Sequence, residues 1–142
     1  MIMYLQNVIA SKKFFIITFV SLSNITFASD LNSWDCYKLE GAKIIAEDGT
    51  YLGKIEDNYD SDSIYNKYSE YGNSYSSNSI WNEYSDYGNE YSSQSALNDN
   101  ASEPPVLLKD GEIIGKLTTK KYAYDGYDVN KIKGAYSALF IV

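Results

Sequence analysis

Histidine and arginine are both missing from this 142-residue chain, whose twelve basic residues are all lysine. Without histidine there is no Ser-His-Asp or Cys-His catalytic arrangement and no histidine-bearing zinc site. Without arginine there is no bidentate clamp on phosphate or carboxylate. Cysteine is nearly missing: Cys36 is alone, so no disulfide can close within the chain. In the run WDCYKL it lies beside Trp34 and Tyr37, and burial as a small hydrophobe is the expectation, with pairing between two chains as the alternative. What is abundant is tyrosine, fifteen residues, in a chain of net charge −7.

Long apolar runs are also scarce, and the one at the N-terminus reads as a targeting segment. Lys12 and Lys13 precede an apolar stretch, Phe14 to Phe27, broken by Ser, Thr and Asn, and Thr26-Phe27-Ala28 offers small residues at both positions a signal peptidase reads. The stretch is shorter than the roughly 20 residues that span a bilayer. The expectation is a cleaved signal peptide over 1–28, no stable membrane anchor, and an exported chain, periplasmic or secreted, with one domain over 29–142.

After that cut, nineteen acids face ten lysines, and the excess is local: Glu56 to Glu103 holds ten acids and only Lys67. A surface of this sign disfavours a nucleic-acid partner, because phosphate binding requires cationic groups to release counterions.

The acidic stretch is a tandem array. YDSDSIYNKYSEYGNS (Tyr59–Ser74) aligns without gaps to YSSNSIWNEYSDYGNE (Tyr75–Glu90) and more loosely to YSSQSALNDNASEPPV (Tyr91–Val106), a 16-residue repeat covering 59–103. Its apolar positions follow neither period 2 nor period 3.6. One reading is short helical or 3₁₀ turns, with Ser63 and Ser79 as caps and Gly72 and Gly88 as left-handed terminators. The other is irregular loop held by Asn and Ser side chains bonding local backbone.

A second duplication flanks the array. IIAEDGTYLGKI (44–55) matches VLLKDGEIIGKL (106–117) without a gap, and each predicts a β-hairpin with a type I′ turn at Asp-Gly, placing Gly53 opposite Ile44 and Gly115 opposite Val106. Each lone hairpin is unstable in water, so the two are expected to pack on each other. The apolar run Ala135 to Val142 predicts a further strand, 135–142. The fold class expected is β-rich α+β: two duplicated hairpins packed together, framing an irregular or short-helical Tyr/Ser/Asn array.

The hairpin DGTYLGKI, the tandem YxSxSIxNxYxxYG units, the break at Pro104-Pro105 and the second hairpin with its LT ending resemble a family of uncharacterised secreted bacterial proteins over Trp34 to Thr119. The resemblance implies a bacterial, exported protein and no activity, cofactor or catalytic residue. Gly and Lys are common in that family where this chain has Ser69, Glu70, Ser85 and Asp86.

Three function classes compete. A non-catalytic binding or surface-interaction protein would use the aromatic faces of Trp81, Tyr65, Tyr68 and Tyr84 to stack on a glycan or a protein partner. Against this, the tyrosines could serve as the array's own core. A calcium-stabilised structural protein would draw on Asp57, Asp60 and Asp62, yet an EF-hand numbered from Asp60 puts Tyr65 where the turn glycine belongs and Tyr71 where the bidentate glutamate belongs. A carboxylate-based hydrolase is the weakest reading, since no motif singles out two acids and no Ser-x-x-Lys occurs. The binding protein, with no cofactor, is the expectation carried forward.

Overall fold

A computed structural model describes residues 33–139, with side chains described over 35–136. The expected signal peptide and the last three residues of the predicted C-terminal strand lie outside this range.

The described elements are helix α1 (Ser33–Leu39), strands β1 (Lys43–Ile45), β2 (Tyr51–Lys54), β3 (Val106–Lys109), β4 (Glu112–Leu117) and β5 (Gly126–Tyr127), and helix α2 (Val129–Leu139). The strands form one mixed sheet in the order β2-β1-β3-β4-β5, so the fold is a small, β-rich α+β arrangement. β1 pairs antiparallel with β2, and β3 with β4. The two pairs do not stack face to face, as expected from their apolar faces; β1 hydrogen-bonds along β3, with Ile44 opposite Leu107. Joining edge to edge satisfies two rows of backbone groups that stacking would have left open.

The turns divide. Asp110 and Gly111 both have positive φ, as the expected type I′ turn requires, whereas at the first turn only Gly49 does. There Gly49 N bonds Ala46 O and Ala46 N bonds Thr50 O, the pattern of a type I turn closed by a left-handed glycine. Each pair contains an irregularity that slips the ladder by a residue: Gly115 lies opposite Leu107 rather than Val106, and Ile45 lies opposite Tyr51, while Lys43 opposite Lys54 keeps the register expected of the first hairpin.

Residues 135–139 belong to helix α2, not to the strand predicted over 135–142. Val129, Ile132 and Tyr136 are buried on one side at spacings of three and four, and Asp128 caps the start by accepting from Asn130 N at 2.9 Å. The apolar ending hid this because its helical partners lie upstream of it. One core joins all parts: Cys36 and Leu39 of α1, Ile44, Leu52, Leu107 and Leu117 of the sheet, Ile64, Ile80 and Ala96 of the array, and Ile132 of α2. Burying each large aliphatic side chain contributes about 1.5–3 kcal/mol. Among the described residues no helix is long and apolar enough to cross a membrane.

Candidate binding surface on the repeat array

The array contains no helix. It is a string of turns in which each turn's last residue begins the next. Bonds run from Asp60 N to Asp57 O, Ser63 N to Asp60 O, Asn66 N to Ser63 O and Ser69 N to Asn66 O, then a longer step joins Asn73 N to Ser69 O. The same series resumes from Asn73 and again from Asn89. Four steps of three residues and one of four make sixteen, which is why neither helical nor strand periodicity describes the sequence.

Side chains hold each turn. Asp57, Asn66, Asn73, Asn82 and Asn89 accept, through their side-chain oxygens, the N–H two residues on, at 2.8–3.0 Å. Ser63, Ser79 and Ser95 do the same through Oγ. These are Asx- and Ser-turns, which trade a helix's backbone partners for a local side-chain one. Asn66, Asn82 and Asn98 also donate Nδ2 back to the carbonyls of Asp60, Ser76 and Ser92. Gly72 and Gly88 do not terminate helices, since neither has positive φ. A Cβ on either would fall on the carbonyl of Asn66 or Asn82, so close approach of backbone requires them.

Successive copies lie side by side. The Tyr65 and Trp81 rings, sixteen residues apart, have centroids 6.4 Å from each other, and Trp81 Nε1 donates to Ile64 O at 2.6 Å. The first copy also covers the free edge of β2, with Ile64 N donating to Lys54 O and Lys54 N to Asp62 O. Tyr71 meets Tyr51 edge-on at 5.0 Å, and Tyr87 Oη bonds Asp48 Oδ2 at 2.8 Å, so these two tyrosines fasten the array to the first hairpin.

The tyrosines therefore sort by position in the turn. Tyr59, Tyr68, Tyr75, Tyr84 and Tyr91 each follow an Asx by two residues, and all five are 82–87% exposed. With copies side by side, Tyr59, Tyr75 and Tyr91 occupy one equivalent place and Tyr68 and Tyr84 another, two outward rows. Of the four aromatic residues singled out from the sequence, Tyr68 and Tyr84 stand in these rows. Tyr65 does not: it packs on the core against Tyr136, ring centroids 5.7 Å apart, and burial pushes its hydroxyl well above the usual range. Trp81 is half-buried, its N–H consumed by Ile64 and its face covered by Lys133 Nζ at 4.8 Å. Tyr59, Tyr75 and Tyr91 were missed, although the Asx-x-Tyr spacing marks all five.

The acids suggested for calcium are engaged otherwise. Asp57 caps the first turn, Asp60 pairs with Lys54 at 2.9 Å, and Asp62 accepts from Tyr51 Oη at 3.2 Å. Among the described residues no group of three or more acids or cysteines is placed to hold a metal ion. Cys36 is free and buried, and burial, then the nearby Asp35, pushes its thiol up. The neighbouring carboxylates of Glu83 and Glu90 push the hydroxyls of Tyr84 and Tyr91 up, so the outward rows are aromatic and anionic together.

An open hollow of about 600 Å³ lies at the third copy, lined by Glu90, Tyr91, Leu97, Asp99, Asn100 and Thr119 among others. Comparison with protein-family models, curated proteins and solved structures returned no match.

Proposed function

We propose that this is an exported, non-catalytic binding protein that holds an extended glycan against the outward tyrosine rows of its array. The observation that carries the reading is that five tyrosines at equivalent turn positions are all displayed rather than packed. Aromatic rings presented singly are ordinary, but repeated presentation on a scaffold of locked turns makes a stacking surface with little side-chain entropy left to lose. The Asn and Ser side chains are spent on the backbone, so the turns are rigid before any ligand arrives.

Export is supported by the N-terminal pattern of 1–28 and by the resemblance to secreted bacterial proteins. The hairpins 44–55 and 106–117 are read as one duplicated unit, with the 16-residue repeat as an insertion between them. The absence of histidine and of any singled-out pair of acids supports a role without catalysis.

The test is a glycan array probed with the wild-type protein and with the double variant Tyr68→Ser/Tyr84→Ser. Binding that falls at least tenfold in the variant, with an unchanged melting temperature, supports the reading. No glycan bound, or equal binding by the variant, overturns it and leaves a protein partner as the next to be sought.

A further inference from the structure

The third copy departs from the other two at the places that surround the hollow. Where the first two copies carry Tyr65 and Trp81, the third has Leu97; where they carry Tyr68 and Tyr84, it has Asn100; and Asp99 replaces Lys67 and Glu83. Loss of two rings opens the space, and Thr119, held by its N–H to Ala96 O, closes one side of it. Tyr91, the last ring of its row, stands 85% exposed at the edge.

The chemistry of the lining is specific in sign. Glu90 and Asp99 bring carboxylates, Leu97 brings an apolar surface, and no lysine takes part. Asn98 is already used, accepting from Asn100 N and donating to Ser92 O. Asn100 Nδ2 bonds Asp99 Oδ1 at 3.0 Å, which leaves its own Oδ1 for a ligand. Thr119 Oγ1 is buried with no hydrogen-bond partner, an unusual state for a hydroxyl.

We propose that this hollow is a saccharide subsite at the end of the tyrosine rows, taking a ring that carries no negative charge, neutral or amine-bearing. Tyr91 supplies the stacking face, Glu90, Asp99 and Asn100 accept from sugar hydroxyls or an ammonium group, and Thr119 completes the hydrogen bonds by turning its hydroxyl toward the ring. An ammonium substituent gains from the carboxylates and from the Tyr91 ring, whereas a uronic acid meets like charge at short range. The inference rests on the glycan reading above and adds the place and charge of one sugar ring.

Calorimetric titration of the purified protein with three tetrasaccharides tests it: a glucosamine tetramer, the neutral N-acetylglucosamine tetramer and a galacturonate tetramer. The expected result is binding of the first or second at least tenfold tighter than the third, a loss of tenfold or more in Tyr91→Ala, and a narrowed difference between the glucosamine and galacturonate tetramers in Asp99→Asn. Tyr91 is exposed, so its variant should melt as the wild type does. Binding lost in Tyr68→Ser/Tyr84→Ser but kept in Tyr91→Ala, with the glucosamine–galacturonate difference unchanged in Asp99→Asn, overturns the subsite and spares the Tyr68 and Tyr84 row. Binding kept in Tyr68→Ser/Tyr84→Ser but lost in Tyr91→Ala spares the subsite and overturns the part of the surface given to the Tyr68 and Tyr84 row. No tetramer bound, or galacturonate bound as well as the others, overturns the subsite.

Discussion

The indole of Trp81 donates to the carbonyl of Ile64, seventeen residues earlier, at 2.6 Å. That bond reaches from one copy of the array to the one before, and with Ile64 and Ile80 in the same core it makes a stack of a segment that has no helix and no named strand of its own. Interior sheet residues close one side of the stack and α2 another, so the turns are stabilised by neighbours rather than by propensity.

The asparagines of the array should not be interchangeable. Asn82 is buried and uses both ends of its amide, accepting from Tyr84 N and donating to Ser76 O, while Asn73 only accepts, from Tyr75 N. Asn82→Asp removes the donor and points a carboxylate oxygen at a carbonyl, at an expected cost of about 1–3 kcal/mol. Asn73→Asp keeps its bond and should change stability by less than about 0.5 kcal/mol. Urea midpoints of the two variants check the contrast.

Glycine substitutions should split by sign. Gly88→Ala drives a methyl into the Asn82 backbone and is expected to destabilise by about 2–3 kcal/mol. Gly134, in the interior of α2, is the opposite case, since a methyl group added there would meet nothing within 4 Å. Gly134→Ala should stabilise by about 0.5–1 kcal/mol, because alanine loses less backbone freedom on entering a helix. Thermal melts of the two read the difference in one experiment.

Among the tyrosines, Tyr65 and Tyr68 should behave as different residues. The Tyr65 hydroxyl is buried and has no hydrogen-bond partner, so Tyr65→Phe is expected to be neutral or stabilising by up to about 1 kcal/mol. Tyr65→Ala removes a packed ring and should cost about 3–5 kcal/mol. Tyr68→Ser, at an 86% exposed site, should move stability by less than about 0.5 kcal/mol. A destabilised Tyr65→Phe would show that the hydroxyl has a partner after all.

Acid should weaken the join between array and sheet. The Lys54 ammonium, then the Asp62 N–H, holds the Asp60 carboxyl below its ordinary value, and Asp60 in turn raises Lys54. The folded chain therefore takes up this proton less readily than the unfolded one. The contribution is present above about pH 4, the ordinary carboxylate value, and is lost as pH falls through the lower folded value. Stability of the wild type measured from pH 6 to 2.5 should fall more steeply below about pH 4 than that of Asp60→Asn; parallel curves would exclude the pair as the cause.

Local chemistry in the sequence determined the repeat length, the two Asp-Gly turns, the β-rich character and the central acidity, because each depends on residues close together in the chain. Asn and Ser at steps of three already imply turns that bond their own backbone, and the outward tyrosines could have been found by asking which ring follows an Asx by two. What tertiary structure alone decided was which partner each face met. Two hairpins of similar sequence can stack or join by their edges; edge pairing of β1 with β3 prevailed, with the backbone groups of both strands satisfied. Tyr136 joined upstream Val129 and Ile132 in a helix because the core offered a side for a stripe at that spacing. Tyr65 turned inward and Tyr68 outward, three residues apart in the same run, because only the first faces Ile64's side of the stack, where burial of a ring outweighs the unmade bond of its hydroxyl.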